Sequence, residues 1–545
     1  MIDPPEGVRD MLARRGLAEI PRILSLQDRT PVSPTYGCFD RDYWHTRVMD
    51  FPSGMYQKLV FPLALAWSLD IPGNPYRGQE AIRSAIEAGI RYAARSAHKD
   101  GSCDDYFPFE RAAGAAAFSL LACLEAAEII GLAGDAEVDA FLKLRGKWLA
   151  YHQESGRLSN HEALIASCLA RLADRFGEEW EEPMRRRLDR LLSWQSDEGW
   201  FDEYGGADPG YLTLTIAQLA DLDRRRPQLD LRKPCAAAVR FLATMVHPDG
   251  SLGGEYTSRS TYNFFPYGLE IAGAWMPEAL AINDLALRPL MRGRDPAYPE
   301  RFEGHFVTSW LLAWREWQAA RPAEPHRLFS GRIAYPGARL LLDERHGTRL
   351  YIATSRGGAL RLFDGDRLLL ADTGISLSTR KGQVAVCHLE GRNEVEIEAD
   401  RIRIGGAMAF AKSARLTPFK SMVLRGLMIT LGRFFPDTIR KILQRLLVTG
   451  RDEAPFRFRR ELRWGAGGWV IRDEVTPAGS WSNVTAIGIG GFQSSAATVT
   501  ARVWQPAELQ PWLDLSSRLE ELGPADPLIV EREVGAGSGG GGKQA

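Results

Sequence analysis

The sequence predicts a multidomain α-then-β chain: an N-terminal (α/α) toroid of helical hairpins followed by an antiparallel β-sandwich. Three observations predict it. The 545 residues exceed what one hydrophobic core serves, since cores stop growing near ~250–300 residues. From about residue 55 to 320 apolar residues recur at helical spacing, as in Ala112 to Ile130 and Tyr211 to Leu222. After Pro322 the pattern changes to short alternating runs broken by Gly and Asp.

The helical part repeats. Lys99-Asp100-Gly101-Ser102, Asp197-Glu198-Gly199-Trp200 and Pro248-Asp249-Gly250-Ser251 each precede a polar-aromatic stretch and then an apolar helix. Gly101, Gly199 and Gly250 are separated by 98 and 51 residues, a period near 50 with one unit between the first two, where Ser155-Gly156 falls. Two helices and a turn in such a period make a stacked hairpin array, and closing the array gives a toroid whose turns gather at one mouth. Polar residues after each turn then converge on a concave site.

The strand signals are Arg349 to Thr354, Ala359 to Phe363, Arg367 to Ala371, Glu394 to Glu398 and Gly468 to Asp473. The expected division is a toroid with an N-terminal arm over 1–325, a sandwich over 326–534 and a flexible Gly-rich tail over 535–545. Inside the sandwich, 412–451 holds nine Lys/Arg and one acid, Asp437, around an apolar pattern in which Asp437-Thr438 opens a second helix. It reads as a basic amphipathic helical insertion, either packed on the sandwich with a solvated face or in peripheral contact with a membrane.

A formal net charge of -1 supplies no field to gather nucleic acid, so none is expected as a partner and an acidic ligand needs a local cluster. The six cysteines lie far apart and read as buried free thiols. The N-terminus lacks the basic and apolar regions of a signal peptide and no apolar run reaches ~18 residues, so a cytoplasmic location is the expectation. No metal-ligand spacing occurs, and neither metal nor cofactor is expected.

Three motifs carry the candidate chemistry. Asn160 and His161 follow the turn at Gly156 and precede a helix expected over Ala163 to Ala173 at the mouth, where they read either as a cap with a satisfied histidine or as reacting groups. The Gly-rich run from Gly199 to Tyr211 carries Trp200, Asp202, Glu203, Asp208 and Tyr211, with Pro209 opening a helix. The equivalent place in the next repeat holds Tyr256, Arg259 and Tyr262, where the planar fork of Arg259 suits a carboxylate. The aromatic-polar run Tyr36 to His45 reads as a sugar-stacking face or as an arm packed across the toroid.

An Asn-His pair followed some fifty residues later by a DG turn, an acid and a Pro-x-Tyr helix start, on a toroid ahead of a sandwich, resembles the heparinase II/III-like and alginate-lyase-like polysaccharide lyases. The resemblance implies a carbon-oxygen lyase that cleaves a uronate-containing glycan by β-elimination. It implies Asn160 as carboxylate neutraliser, His161 as assistant, Tyr211 as acid or base and Glu203 as loop acid. Arg259, Trp200, Tyr256 and Tyr262 would then hold the acidic polysaccharide or oligosaccharide. The chain departs from the family pattern at Leu212, where a histidine commonly follows the tyrosine, and at Ser355 to Leu360, where a His-x-His-x-Asp stretch is common. His388 is the one nearby substitute. The chemistry is coherent, because removing an α-proton of high pKa requires the adjacent carboxylate to be neutralised.

Two other classes fit the same toroid. One is a glycoside hydrolase or sugar epimerase using Asp202, Glu203 or Asp208 as paired carboxylates. The other is a non-catalytic glycan-binding or assembly protein of polysaccharide production. A terpene cyclase would need an Asp-x-Asp-Asp motif, which the chain lacks.

Overall fold

Helices fill the chain from Pro5–Ala18 to Glu300–Arg315, and strands begin at Arg332–Tyr335. The computed structural model describes residues 5–154, 156–294, 300–389, 391–411, 417–435, 438–439, 452–465, 467–490 and 512–535. The parts of the basic segment at 412–416, 436–437 and 440–451, with Asp437, and the tail at 536–545 lie outside them.

The expected turns recur with one hydrogen-bond pattern. The backbone N–H groups of Gly101, Gly199 and Gly250 donate to the carbonyls of His98, Ser196 and His247, each at 2.8 to 2.9 Å. Gly199 and Gly250 take φ of +99° and +92°, where a side chain is strained. Each also lies against a later helix: a Cβ there would come within 2.3 Å of the Ala237 carbonyl oxygen or 2.2 Å of the Leu285 carbonyl oxygen. The glycines therefore set both the turn and the stacking distance.

The toroid closes where its last helix meets its first ones. Leu311 fills the space over Gly16, and Leu59 fills the space over Gly304. Arg9 seals the junction by donating from Nε to the Trp314 carbonyl at 3.2 Å. Residues near 58 and near 305 are thereby brought together across the ring. The arm at 36–45 packs beside it, with Trp44 Nε1 donating to the Leu26 carbonyl at 2.8 Å.

The strands are β1 Arg332–Tyr335, β2 Leu340–Arg345, β3 Thr348–Ala353, β4 Leu360–Asp364, β5 Arg367–Asp372, β6 Ile375–Thr379, β7 Val384–Val386, β8 Glu394–Ile397, β9 Arg401–Ala411, β10 Asp452–Gly465, β11 Gly468–Pro477, β12 Val484–Ile489, β13 Leu513–Asp514 and β14 Leu528–Val534. The first five form an antiparallel meander. Among the described residues the second sheet runs β13-β12-β6-β7-β9-β10-β11-β14, with β8 also pairing β9.

The meander is buried on both faces. Leu342, Tyr351, Ala353 and Phe363 join the core of the helical part. Their neighbours Leu341, Leu350, Ile352, Leu362 and Leu370 join the core under the second sheet. Alternation along a strand sends successive side chains to opposite faces, so burial of both explains the nearly continuous apolar runs of β2 to β5. Polar ties cross the same boundary: the Glu198 carboxylate accepts from the backbone N–H groups of Gly337 and Ala338 at 2.7 and 2.9 Å. Deep in the second sheet, Arg460 binds Asp372 at 2.9 Å and Asp473 at 2.7 Å, and Arg532 closes the cluster on both acids.

All six cysteines are free and buried. No described helix is long and apolar enough to cross a membrane.

Candidate active site

The helix Ser159–Phe176 starts earlier than its apolar pattern suggests, so Asn160 and His161 sit within its first turn rather than before it. Leu158 precedes the helix and supplies no side-chain cap. The missing acceptor comes from the next repeat: Glu203 Oε2 accepts from Ser159 Oγ at 2.9 Å and from the Asn160 backbone N–H at 3.4 Å. An acid at a helix N-terminus satisfies orphan donors and complements the dipole. Glu203 is thus a buried cap beneath the site rather than a loop acid facing substrate. Burial raises its pKa, against the pull of Arg259 and His161.

Tyr211 stands in the first turn of the helix Pro209–Arg225, whose cap is Asp208. Asp208 Oδ1 accepts from the Tyr211 backbone N–H at 3.0 Å and from Thr261 Oγ1, and its Oδ2 accepts from Thr257 Oγ1 at 3.1 Å. One carboxylate therefore ties the tyrosine to the loop that carries Arg259. Arg356, from the connection between β3 and β4, supports that loop from behind by donating to the carbonyls of Glu255 and Ser258 at 3.0 and 3.2 Å. The stretch at 355–360 thus acts indirectly, and every described residue lining the cleft comes from the helical part.

Asn160, His161, Tyr211 and Arg259 all line one solvent-open cleft of about 230 Å³. The Arg259 guanidinium lies 4.3 Å from the Tyr204 ring centroid and 5.8 Å from that of Tyr211. Among the described residues its Nε has no acceptor, and the Asn160 amide makes no hydrogen bond of good geometry, although it stands close enough to Glu203 to help hold that acid's pKa down. Asn160 is almost wholly buried, at 1% exposure, where a polar group without a good hydrogen bond is costly, so the arrangement suits a polar ligand. His161 Nδ1 meets Glu154 Oε2 at 2.7 Å. A carboxylate on one ring nitrogen fixes the tautomer and makes the other a base. Burial pushes the Tyr211 phenol up to about 12, although Arg259 pulls it down. Burial outweighs the neighbouring cation.

The opposite wall escaped the sequence reading. Lys58 Nζ contacts His305 Nε2 at 2.8 Å, and Phe118 lies between the histidines, with ring centroids 4.0 Å from His305 and 6.1 Å from His161. Burial, with Lys58 and His161 adding to it, holds His305 well below its usual pKa. Asp105, Tyr106 and Glu110 reach the rim from a loop in which Phe109 and Arg111 take positive φ. Tyr204 and Ser260 do the same on the facing loops. Strained non-glycine residues gather at sites that the surroundings over-determine.

Three expected substrate contacts lie elsewhere. Trp200 donates from Nε1 to Glu198 Oε2 at 2.7 Å. Tyr256 shares a hydrogen bond of 2.9 Å with His247 in an aromatic cluster that includes Tyr351. Tyr262 donates to Glu255 at 2.9 Å under the Arg361 guanidinium. These rings pack the boundary between helices and meander. His388 is buried beside the meander, away from the cleft. Among the described residues no group of three or more His, Cys, Asp or Glu is placed to hold a metal ion.

No family model matches the chain, and no curated protein does. Solved structures do. The chondroitin AC lyase of Streptomyces coelicolor A3, in complex with chondroitin sulphate, aligns over 88% of this chain and 67% of its own, with 11% identity and a TM-score of 0.54. A xanthan lyase from Paenibacillus aligns over 89% of this chain and 46% of its own, with 11% identity and a TM-score of 0.54. This chain thus spans two thirds of the first and under half of the second. A helical toroid followed by antiparallel sheets is the fold of these two lyases, and this chain shares it.

Proposed function

We propose that the protein is a polysaccharide lyase that cleaves a uronate-containing glycan by β-elimination. One observation carries the reading: Asn160, His161, Tyr211 and Arg259 line a single cleft, in which the Asn160 amide and Arg259 Nε make no hydrogen bond of good geometry. A uronate carboxylate placed there receives an amide N–H and a guanidinium, which is the neutralisation that makes the C5 proton removable. His161, oriented by Glu154, takes that proton. The C4–O4 bond breaks as the C4–C5 double bond forms. Tyr211, whose raised pKa keeps it protonated, donates its phenolic proton to the departing oxygen. The likeness to two lyases supports the reading through the fold.

The paired-carboxylate alternative finds less support. Asp208 is committed to capping and Glu203 to the Asn160 turn, while Asp202 pairs with Arg157 at 3.2 Å.

Lyase products absorb in the far ultraviolet through their unsaturated uronate, and hydrolysis products do not. Incubation with a panel of uronate polymers is expected to raise that absorbance, and Tyr211→Phe to lower the rate by ~10²–10⁴-fold with the fold retained. Full activity in Tyr211→Phe would remove the tyrosine from the mechanism. Reducing ends without absorbance would replace elimination by hydrolysis.

A further inference from the structure

Between β9 and β10 the described residues 417–435 form the helix Pro418–Leu427, continued through a wider turn at Met428–Gly432. Thr417 caps it, accepting from the Lys420 backbone N–H at 3.2 Å, and Pro418 opens it. One side is pinned to the toroid. Arg425 pairs with Asp50 at 2.7 Å and lies 5.6 Å from the Phe51 ring. Arg433 lies 5.6 Å from the Phe109 ring, and Ile429 lines a small cavity with Phe51 and Phe109. Phe109 belongs to the loop whose Asp105, Tyr106 and Glu110 line the cleft. The segment therefore sits at the cleft mouth.

The other side faces outward and is apolar. Phe419, Met422, Phe434 and Phe435 are 61% to 72% exposed, with Val423 and Leu431 above half. Seven of the fifteen exposed large hydrophobic side chains among the described residues fall in these nineteen positions, which is concentration rather than the scatter normal on a soluble surface. The residues inside the turn of that helix, Met428 and Gly432, are the buried ones.

Charge selects the occupant. The nineteen residues carry Lys420, Arg425 and Arg433 and no acid, in a chain whose formal net charge is only -1. A second copy of the protein would bring two such basic segments face to face. A soluble polyanion would meet the charge and leave the phenylalanines in water. A bilayer with anionic head groups meets both, taking the apolar side chains at the acyl boundary and Lys420 at the phosphates. We propose that residues 417–435 dock the protein on an anionic lipid surface with the cleft mouth beside the bilayer. The docking stands independently of the reaction proposed above.

Flotation of the full chain with phosphatidylcholine vesicles, and with phosphatidylcholine vesicles containing phosphatidylglycerol, tests it. The protein is expected to float with the mixed vesicles and to be released by high salt. Phe419→Ser combined with Phe434→Ser is expected to lower the bound fraction at least ~10-fold, with an unchanged melting temperature because both rings are exposed. Lys420→Glu should weaken binding without touching the apolar side chains. Failure of the native chain to float, or equal flotation of the Phe419→Ser/Phe434→Ser protein, would overturn the proposal. So would a dimer by light scattering that the double substitution dissociates, which would assign the face to a second copy.

Discussion

Gly114 lies in the helix Ala113–Ile129 directly beneath His161. A methyl group added there would stand 2.5 Å from His161 Cε1 and 2.9 Å from Nε2. Ordinary contact begins at 3.4 Å, so the ring must retreat by about 0.9 Å. Its Nδ1 is held 2.7 Å from Glu154, and a retreat of that size takes the pair beyond good hydrogen-bonding geometry. Displacing a reacting group by ~1 Å costs on the order of 100-fold in rate, equivalent to ~2.7 kcal/mol of barrier. The backbone at Gly114 is helical, and alanine is favoured over glycine in a helix by ~1 kcal/mol. Gly114→Ala is therefore expected to melt no lower than the native protein while losing ~99% of its elimination rate. The assay pairs a thermal melt with the initial rate of far-ultraviolet absorbance on whichever polymer the native protein cleaves. A raised melting temperature with an undiminished rate would refute the reasoning, because the imidazole would then be free to move without consequence for the chemistry.

Two further expectations concern stability. Arg460 is 1% exposed and joins Asp372, Asp473 and the Gly358 carbonyl. Burial opposes ionisation of Asp372, but Arg460 and Arg532 outweigh it and hold the acid below its usual range. Arg460→Met leaves two buried carboxylates to share Arg532 alone and is expected to cost ~3 kcal/mol in denaturant unfolding; a loss below ~1 kcal/mol would show the cluster to be dispensable. For pH, burial and Arg356 hold His388 down to about 3, and burial holds His247 and His305 well below the usual value. An unfolded histidine accepts a proton near ~6.5 that these folded ones refuse, so their contribution is full above that pH and declines below it. Glu303, pushed up to about 7 mainly by burial, works in the opposite direction. Burial depresses His326 as well, and raises Glu203 and Glu270 alongside Glu303; with four histidines each taking up a proton only on unfolding below ~6.5, a lower melting temperature is expected at about pH 5 than at about pH 7, partly restored by His388→Asn, and an unchanged melt would contradict it.

The toroid was legible because its turns demand something local. Gly199 and Gly250 need positive φ and a close approach by the next helix, and few residues but glycine meet both conditions. Asn160, His161, Tyr211 and Arg259 were legible for the same reason, each following such a turn by a few residues. Lys58, His305, Gly114 and Glu154 were not, because ring closure and helix stacking bring them to the cleft without any shared motif. The aromatic density around 200 and 256–262 was a true signal whose destination local sequence does not encode. Tyr256 and Tyr262 turn toward the meander because Tyr351 and Arg361 wait there, about a hundred residues further along. Glu203 was recognised as an unusual acid, but only the pairing of two repeats reveals that it caps the helix of its neighbour.

The meander buried on both faces has a consequence for inheritance and for engineering. In β3, Tyr351 and Ala353 are fitted to the helices while Leu350 and Ile352 are fitted to the second sheet. Substitutions at odd and even positions of one strand thus answer to different partners, one set drifting with the toroid and the other with the outer sheet. A chimera that exchanges either part with another protein of this fold has no clean splice point between Arg332 and Asp372. It must instead interleave two parental sequences along each strand, residue by residue.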